Sequence, residues 1–310
     1  MTFRTIAVVG TGVIGASWAT YFLSRGYDVV ATNRSGSDTK LRAMVTEQWR
    51  EAERSGFAEH ASLTRLRFTP SLTECVREAD FVQENGPEGL DIKRAVVAAI
   101  DDASPAHTII ASSASGLLIS EVQSACRHPE RVLIGHPFNP PHLIPLVEVV
   151  GGTATSEESI ESALSFYRLI GKRPIRVRQE IKGHIANRLQ AALRREAYGL
   201  VEHGIATVAD IDMAIAQGLG LRWALLGPFL NQHLGGGEGG IRHHLNHLGP
   251  SMDEWWQDLY QTRLTEELKT KIAVGVTDAI QGWDMDALTR ERDRALADLL
   301  RIKRQLKHLP

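Results

Sequence analysis

The sequence is poor in cysteine, with two in 310 residues. Cys75 and Cys126 lack the spacing of a metal site and cannot form a disulfide framework, which favours a reducing, cytoplasmic setting. Excess charge is also missing: the formal net charge of −2 gives no reason to expect nucleic acid or an anionic membrane as a partner. No apolar run is long enough to cross a bilayer, and no secretory pattern stands at the start. These absences favour a soluble intracellular protein of the size of an enzyme.

The first 180 residues alternate short β-rich runs with amphipathic helical patterns, which predicts a mostly parallel, doubly wound α/β sheet of the Rossmann type. The predicted strands are Thr5–Val9, Asp28–Thr32, Arg67–Thr69, Asp80–Glu84, Thr108–Ala111, Arg131–Gly135, Leu146–Val150 and Arg173–Arg178. The predicted helices are Ala16–Ser24, Thr39–Arg54, Leu72–Glu78, Gly89–Asp102, Ser120–Arg127 and Glu157–Ile170. The proline-rich link between Arg131–Gly135 and Leu146–Val150 is too short for a crossover helix, so we expect an antiparallel return there.

From Gly183 onward the pattern is helical, and no strand pattern follows. The predicted helices are Ile185–Glu202, Asp253–Tyr260, Thr265–Ala273 and Asp286–Lys307. A further helix is predicted to start after Thr207, which can cap it with Asp210 three residues on, and to end at Gly218. We therefore expect a dinucleotide-binding domain at residues 1–182 and a helical substrate-binding and dimerisation domain at residues 183–310.

The first strand runs into Gly10-x-Gly12-x-x-Gly15, and a helix follows. In this context Gly10 makes the tight turn, Gly12 lets the backbone approach a pyrophosphate, and Gly15 lets helix and strand pack closely. The pyrophosphate would lie on the free N–H groups of the helix start, where Val13 and Ile14 stand. The motif therefore predicts a nicotinamide-dinucleotide cofactor.

The residues that end the second strand indicate which dinucleotide binds. A carboxylate there would hydrogen-bond the adenosine ribose of NAD, but this chain has Asn33, Arg34 and Ser35 instead. Arg34 can pair with or stack on a phosphorylated adenosine, and Ser35 can donate a hydrogen bond. NADP is therefore favoured over NAD; the alternative is that Arg34 is a solvated turn residue and NAD binds without its usual carboxylate.

Three further stretches carry polar groups suited to catalysis. Ser115 follows a strand, and ligands bind at such carboxyl ends. His136 and Glu148 would lie side by side if their strands form an antiparallel return, and a carboxylate beside an imidazole holds one tautomer and stabilises the imidazolium. Asn187 opens the first helix after Gly183.

These stretches, in this order, resemble the 3-hydroxyacyl-CoA dehydrogenase superfamily over almost the whole chain. The resemblance implies that His136 is the general acid and base, oriented by Glu148. It implies that Ser115 hydrogen-bonds the reacting oxygen of the substrate and that Asn187 positions the substrate near the nicotinamide. A further pair, Glu88 and Lys93, matches an acid and a lysine at the nicotinamide-side ribose. A homodimer built through the helical domain is also implied.

Within the superfamily, the segments Gly218–Trp223 and Gly227–Leu230 resemble a branch that oxidises free 3-hydroxy acids, namely the carnitine dehydrogenases and the lambda-crystallin/gulonate dehydrogenases. Arg222 could clamp a carboxylate, or it could be a surface arginine. Trp223, with Trp255, Trp256 and Tyr260, could surround a trimethylammonium group, although apolar packing is the commoner fate of tryptophan. We expect hydride transfer from C3 of a small 3-hydroxycarboxylate, with L-carnitine first. L-gulonate, a 3-hydroxyacyl-CoA or reductive amination of a 3-keto acid are the alternatives. No metal is expected, because His243 and His247 have no third ligand in a matching pattern.

Overall fold

The computed structural model describes residues 3–54 and 56–309. The chain forms two compact units, residues 1–188 and 189–310. The first unit holds a single eight-stranded sheet, and the described part of the second is helical. The predicted fold class, a mostly parallel Rossmann-type sheet followed by a helical region, is confirmed. The domain boundary at residue 183 stays a prediction.

The sheet contains the eight predicted strands, whose ends are shifted by at most two residues. They are β1 (Thr5–Val9), β2 (Asp28–Thr32), β3 (Leu66–Phe68), β4 (Phe81–Glu84), β5 (Ile109–Ser112), β6 (Val132–Pro137), β7 (Leu146–Gly151) and β8 (Arg173–Val177). Their order is β3-β2-β1-β4-β5-β6-β7-β8. The order reverses between β1 and β4, which is the point where an open parallel sheet leaves a crevice for a ligand.

Helices cover both faces of this sheet. They are α1 (Val13–Ser24), α2 (Thr39–Arg54), α3 (Leu72–Val76), α4 (Leu90–Ala103), α5 (Ile119–Gln123) and α6 (Glu157–Leu169), and α7 (Ala186–Glu202) begins in this unit. One face buries an aromatic cluster that includes Trp18, Phe22 and Phe166. The other face buries smaller aliphatic side chains such as Val82 and Ile110. Side chains alternate between the two faces of a strand, so a strand buried on both faces is apolar throughout, as in Ile6–Val9.

The predicted antiparallel return is confirmed, because β7 pairs with β6 in the opposite direction while the other neighbours in the sheet are parallel. The register sets His136 directly opposite Glu148. Directly opposed residues on neighbouring antiparallel strands project from the same face of the sheet. The topology thus brings together two side chains that lie twelve positions apart in the chain.

The second unit continues α7 and adds further helices. They are α8 (Val208–Ala214), α9 (Gly220–Trp223), α10 (Pro228–Gly235), α11 (Gly240–Asp258), α12 (Glu266–Ala279) and α13 (Met285–Gln305). Thr207 caps α8 as predicted, since its hydroxyl accepts from Asp210 N at 3.1 Å and Asp210 accepts from Thr207 N at 3.3 Å.

The prediction that Gly218 ends this helix is wrong. The chain continues through a π-helical turn, Ile215–Leu219, into α9. A Cβ on Gly220 would lie 2.8 Å from the Ile215 carbonyl oxygen. Glycine therefore permits this wider turn and does not interrupt the helical path, so Arg222 lies on a helix. The predicted helix at Asp253 is also too short, since α11 begins at Gly240 and passes through Pro250.

In the part of the chain that the structure describes, no single helix is long and apolar enough to cross a membrane. Among the described helices, one sharply bent pair, Val208–Trp223 with Pro228–Gly235, meets the length and composition requirement when its two parts are taken together.

Candidate active site

The Gly10–Gly15 turn has the shape that a dinucleotide requires. A Cβ on Gly15 would lie 1.9 Å from the Gly10 carbonyl oxygen, so the close packing of β1 and α1 depends on glycine there. Gly10 has φ +89, which also favours glycine. A Cβ on Gly12, by contrast, would meet nothing within 4 Å. Gly12 caps α1 without a side-chain hydrogen bond, so the first N–H groups of the helix stay available to a pyrophosphate. The residues present therefore fit a dinucleotide.

The end of β2 is held by the side-chain amide of Asn33. Its nitrogen donates to Thr11 Oγ1 at 2.6 Å and to the Ser37 carbonyl oxygen at 2.8 Å, and its oxygen accepts from Ser35 Oγ at 2.8 Å. Asn33 thereby ties the turn after β2 to the glycine loop. Arg34 is exposed, and it has no ion-pair partner among the described residues.

Lys93 lies inside the unit with 1% of its surface exposed. Its ammonium donates to both carboxylate oxygens of Glu84, at 2.9 and 2.8 Å, and to the Gly86 carbonyl oxygen at 2.9 Å. Glu84 also accepts from Ser112 Oγ at 2.6 Å. The three N–H donors of Lys93 are thus used within the protein, so the contact of Lys93 with a ribose stays a prediction. Sequence reasoning missed Glu84, although a buried strand that ends in an acid, with a lysine nine residues on, was a usable signal.

Glu88 and Ser115 contact each other directly. One carboxylate oxygen of Glu88 accepts from Ser115 N at 2.6 Å, Ser115 Oγ at 2.8 Å and Gly116 N at 3.0 Å. These three hydrogen bonds to one oxygen hold the loop after β5 against the segment before α4. The Ser115 carbonyl oxygen accepts from Asn187 Nδ2 at 3.1 Å, which adds the start of α7 to the same cluster.

His136 and Glu148 form a buried pair. His136 Nδ1 lies 2.9 Å from Glu148 Oε2, and the side chains are 8% and 0% exposed. The other oxygen of Glu148 accepts from Ile185 N and Ala186 N, both at 2.9 Å, at the N-terminus of α7. Burial opposes the charge, but the hydrogen bonds from His136, Ala186 and Ile185 outweigh it and lower the pKa of Glu148.

The ionised carboxylate fixes the tautomer of His136. Because a carboxylate only accepts hydrogen bonds, the proton of the neutral imidazole lies on Nδ1, and Nε2 keeps a free lone pair. An imidazole held this way can remove a proton from a hydroxyl group and return it, while Glu148 balances the charge. The same arrangement is found in acid–base catalysis on unrelated folds.

His184 is a second buried histidine at this site, and sequence reasoning passed over it. Its Nε2 lies 3.1 Å from the Ala114 carbonyl oxygen, and its ring centroid is 5.3 Å from that of His136. A histidine directly after Gly183, in the motif that contains Asn187, was the available signal. Four positions of this site, Ser115, His136, Glu148 and Asn187, are thus joined through hydrogen bonds or shared neighbours in the first unit.

Arg222 and Trp223 lie on α9 in the second unit, and both are exposed. Trp255 and Trp256 are also exposed, at 62% and 63%, near the end of α11. The ring of Tyr260 stacks on His203 with centroids 4.2 Å apart, so one of its faces is already covered. His243 and His247 stack on the same helix, and no group of three metal-ligating side chains occurs in the described ranges.

Known proteins match this chain over nearly its whole length. A family model for the NAD binding domain of 3-hydroxyacyl-CoA dehydrogenase matches residues 5–181, and one for its C-terminal domain matches residues 183–274. The chain is similar to the L-carnitine dehydrogenase of Streptomyces griseus subsp. griseus, with 47% identity over 98% of this chain and 91% of that one. The L-carnitine dehydrogenase of Bacillus cereus is 45% identical over 97% of this chain and 93% of that one.

A solved structure is also similar across its full length. It is the 5-dehydrogenase of 5-formyl-3-hydroxy-2-methylpyridine 4-carboxylic acid, an NAD+ dependent dismutase. The TM-score is 0.84 at 28% identity, covering 98% of this chain and 99% of that one.

Proposed function

This chain belongs to the 3-hydroxyacyl-CoA dehydrogenase family and is a dehydrogenase, and from that premise we propose that it oxidises the 3-hydroxyl group of L-carnitine to give 3-dehydrocarnitine. The buried His136–Glu148 pair carries the proposal, because it supplies a base whose partner carboxylate is already fixed by α7. The substrate is supported by the L-carnitine dehydrogenases that resemble the chain at 44–47% identity.

In the proposed reaction His136 Nε2 takes the hydroxyl proton, and Glu148 stabilises the resulting imidazolium. The nicotinamide cofactor, when bound, supplies the acceptor for the hydride that leaves C3. Ser115 and Asn187 hold the reacting oxygen, and the loop that carries Ser115 is braced by Glu88. In the reverse direction His136 returns the proton to the oxygen of a 3-keto acid.

Arg222 is proposed to bind the substrate carboxylate and Trp223 to contact the trimethylammonium group. A guanidinium can bind a carboxylate through two parallel hydrogen bonds, and an indole face attracts a quaternary ammonium ion. Replacing Arg222 with alanine should raise KM for L-carnitine about tenfold or more, while lysine should restore part of the affinity. A change in kcat alone would argue against carboxylate binding by Arg222.

The test of the substrate is a panel assayed by cofactor reduction at alkaline pH. L-carnitine should be oxidised with the highest kcat/KM, ahead of L-gulonate and a 3-hydroxybutyryl-CoA, and D-carnitine serves as the stereochemical control. His136→Gln should lose about a thousandfold in kcat and keep cofactor binding, measured by fluorescence titration. Preferential oxidation of L-gulonate or the thioester, or reduction of a 3-keto acid only when an amine is present, would reject L-carnitine oxidation as the function.

We further propose that the cofactor is NADP in preference to NAD. The absence of a carboxylate at position 33 and the exposed Arg34 guanidinium support this, since a 2′-phosphate would find a cation and no repelling acid. Arg34→Ala should raise KM for NADP about tenfold and leave KM for NAD nearly unchanged. Lys40→Ala, an exposed cation on α2, is the matched control. A wild-type enzyme that prefers NAD would overturn the cofactor proposal without affecting the substrate.

The active species is proposed to be a cytoplasmic homodimer. In the described part of the second unit, the only large apolar side chains that are buried are Val201 and Leu268, at 7% and 2% exposed. Phe229, Leu234 and other large apolar side chains of these helices are exposed, at 76% and 66% for these two. A unit of this size needs more buried apolar surface, and a second copy of the chain can supply it. The two free cysteines are compatible with a reducing compartment.

A further inference from the structure

His184 has an unusual backbone conformation. Its φ of +48 is the only positive value at a non-glycine position among the described residues. A non-glycine residue in this left-handed backbone region is strained. The strain therefore indicates that the site needs the His184 imidazole in this position. The side chain is 1% exposed, so the imidazole is held inside the protein.

The hydrogen bond to Ala114 fixes the tautomer of His184. A carbonyl oxygen only accepts, so Nε2 carries the hydrogen at this contact, and a neutral ring then has a bare lone pair on Nδ1. That Nδ1 is buried and has no hydrogen-bond partner among the described residues. An unsatisfied buried acceptor is costly, and phenylalanine would fill the same volume without that cost.

The groups that face His184 come from three elements: His136 on β6, Glu148 on β7 and Glu88 before α4. Burial lowers the pKa of His184, the Ala114 hydrogen bond and the two carboxylates oppose this, and the proximity of His136 lowers the pKa again. Two imidazolium ions whose ring centroids are 5.3 Å apart inside the protein would repel each other. One proton on the histidine pair is therefore favoured over two.

We propose that His184 is a positioning residue for the proton on His136: it stays neutral, and its uncommitted Nδ1 lone pair favours the protonated form of His136 without adding a second charge. The Nε2–H of His184 donates to the Ala114 carbonyl oxygen, next to Ser115. The backbone N–H groups of the next two residues, Ile185 and Ala186, donate to Glu148. The proposal rests on the proposed acid–base role of His136, but the charge state of His184 can be measured without turnover.

The first test is 15N NMR of the full chain with labelled histidine, titrated from acid to alkaline pH. His184, assigned by its absence in the H184Q variant, should keep one protonated and one bare nitrogen at every pH where His136 gains its proton. A doubly protonated His184 at or above that pH would overturn the proposal, whatever the substrate proves to be.

The second test uses two variants that separate the contacts of His184. H184Q can still donate to the Ala114 carbonyl but lacks an acceptor at the Nδ1 position. H184N tolerates a positive φ and keeps an acceptor there but loses the tether. The acidic limb of the kcat/KM profile for alcohol oxidation should move to lower pH by about half a unit to one unit in H184Q and stay in place in H184N.

The exposed His128 provides the control, because H128Q should leave the profile unchanged. The profile is measured with whichever alcohol the substrate panel identifies, so failure of L-carnitine as a substrate does not decide the role of His184. Equal shifts in H184Q and H184N, or a lower rate with no shift in either, would show that His184 only packs the site.

Discussion

At the scale of single residues, the site depends on which atom carries each proton. Glu148 accepts two backbone N–H groups on one oxygen and faces His136 with the other. The hydrogen bonds from His136 and from the two backbone groups lower the pKa of Glu148, and the ionised carboxylate leaves the His136 Nε2 lone pair free. The start of α7 therefore acts on the chemistry through two residues that lie on other elements.

Replacing Glu148 with glutamine should test this dependence. The amide oxygen can still accept from Ile185 N and Ala186 N, but the amide nitrogen would face His136 Nδ1 and donate to it. The hydrogen of His136 would then move to Nε2, which could no longer accept a proton from the substrate. We expect kcat for oxidation to fall by roughly a thousandfold with little change in thermal stability. Loss of less than tenfold would contradict the orienting role, and the exposed Glu157→Gln serves as control.

A second residue-scale prediction concerns acid stability. Burial alone would raise the pKa of Asp101, but hydrogen bonds from His128 N, the Arg131 guanidinium and Arg127 N lower it. Because the folded pKa lies below the unfolded value of about 3.9, Asp101 stabilises the fold above that pH. This stabilisation is lost as the pH falls through the folded pKa.

Asp101→Asn should therefore cost about 2–3 kcal/mol at pH 7 and flatten the loss of stability between about pH 5 and pH 3. The measurement is urea unfolding across this range. Asp102→Asn is the matched control, since Asp102 is half exposed and its ion pair with Arg127 contributes little. An unchanged slope in Asp101→Asn would show that other carboxylates control acid unfolding.

At the scale of elements, the β1–α1 turn uses its glycines for different purposes. A methyl group on Gly15 would collide with backbone, whereas one on Gly12 would point into open space. Gly15, like Gly10 with its positive φ, is thus needed for folding, whereas Gly12 matters for what approaches the turn from outside.

Alanine at each position separates the two roles. Gly15→Ala should lower the thermal midpoint strongly or prevent folding, because the clash involves backbone on both sides. Gly12→Ala should keep the midpoint of the free protein and weaken cofactor binding by about tenfold or more, since the added methyl would occupy the approach of the pyrophosphate. Differential scanning fluorimetry with and without NADP distinguishes the outcomes. Equal effects on folding and binding in both variants would contradict this division.

At the scale of the whole molecule, the two units differ in how much apolar surface they bury. The sheet unit has aromatic and aliphatic clusters on its two faces, while the described helices of the second unit bury very few large apolar side chains. If a second copy covers these helices, the thermal midpoint should rise with protein concentration. Light scattering after size exclusion should give twice the chain mass of 34.2 kDa. A monomer with a concentration-independent midpoint would reject the homodimer.

The sequence by itself determined the alternation of strands and helices, the glycine turn and the antiparallel return. These follow from local chemistry: buried parallel strands are continuous apolar runs, and a short proline-rich link cannot contain a crossover helix. It failed where local rules compete, as at Gly218, which lies within a π-helical turn and does not end the helix. The start of α11 was missed because its glycines and Pro250 are poor helix formers, yet the helix passes through them.

Only the tertiary structure decided which groups of the site are hydrogen-bonded to each other. The three donors on Glu88 and the contact of His184 with the Ala114 carbonyl oxygen join segments far apart in the chain. A residue type and its spacing indicate that a proton can be exchanged at His136. The tautomer that allows the exchange is set by Glu148, which the start of α7 holds by two hydrogen bonds, and these contacts exist only once β6, β7 and α7 have come together.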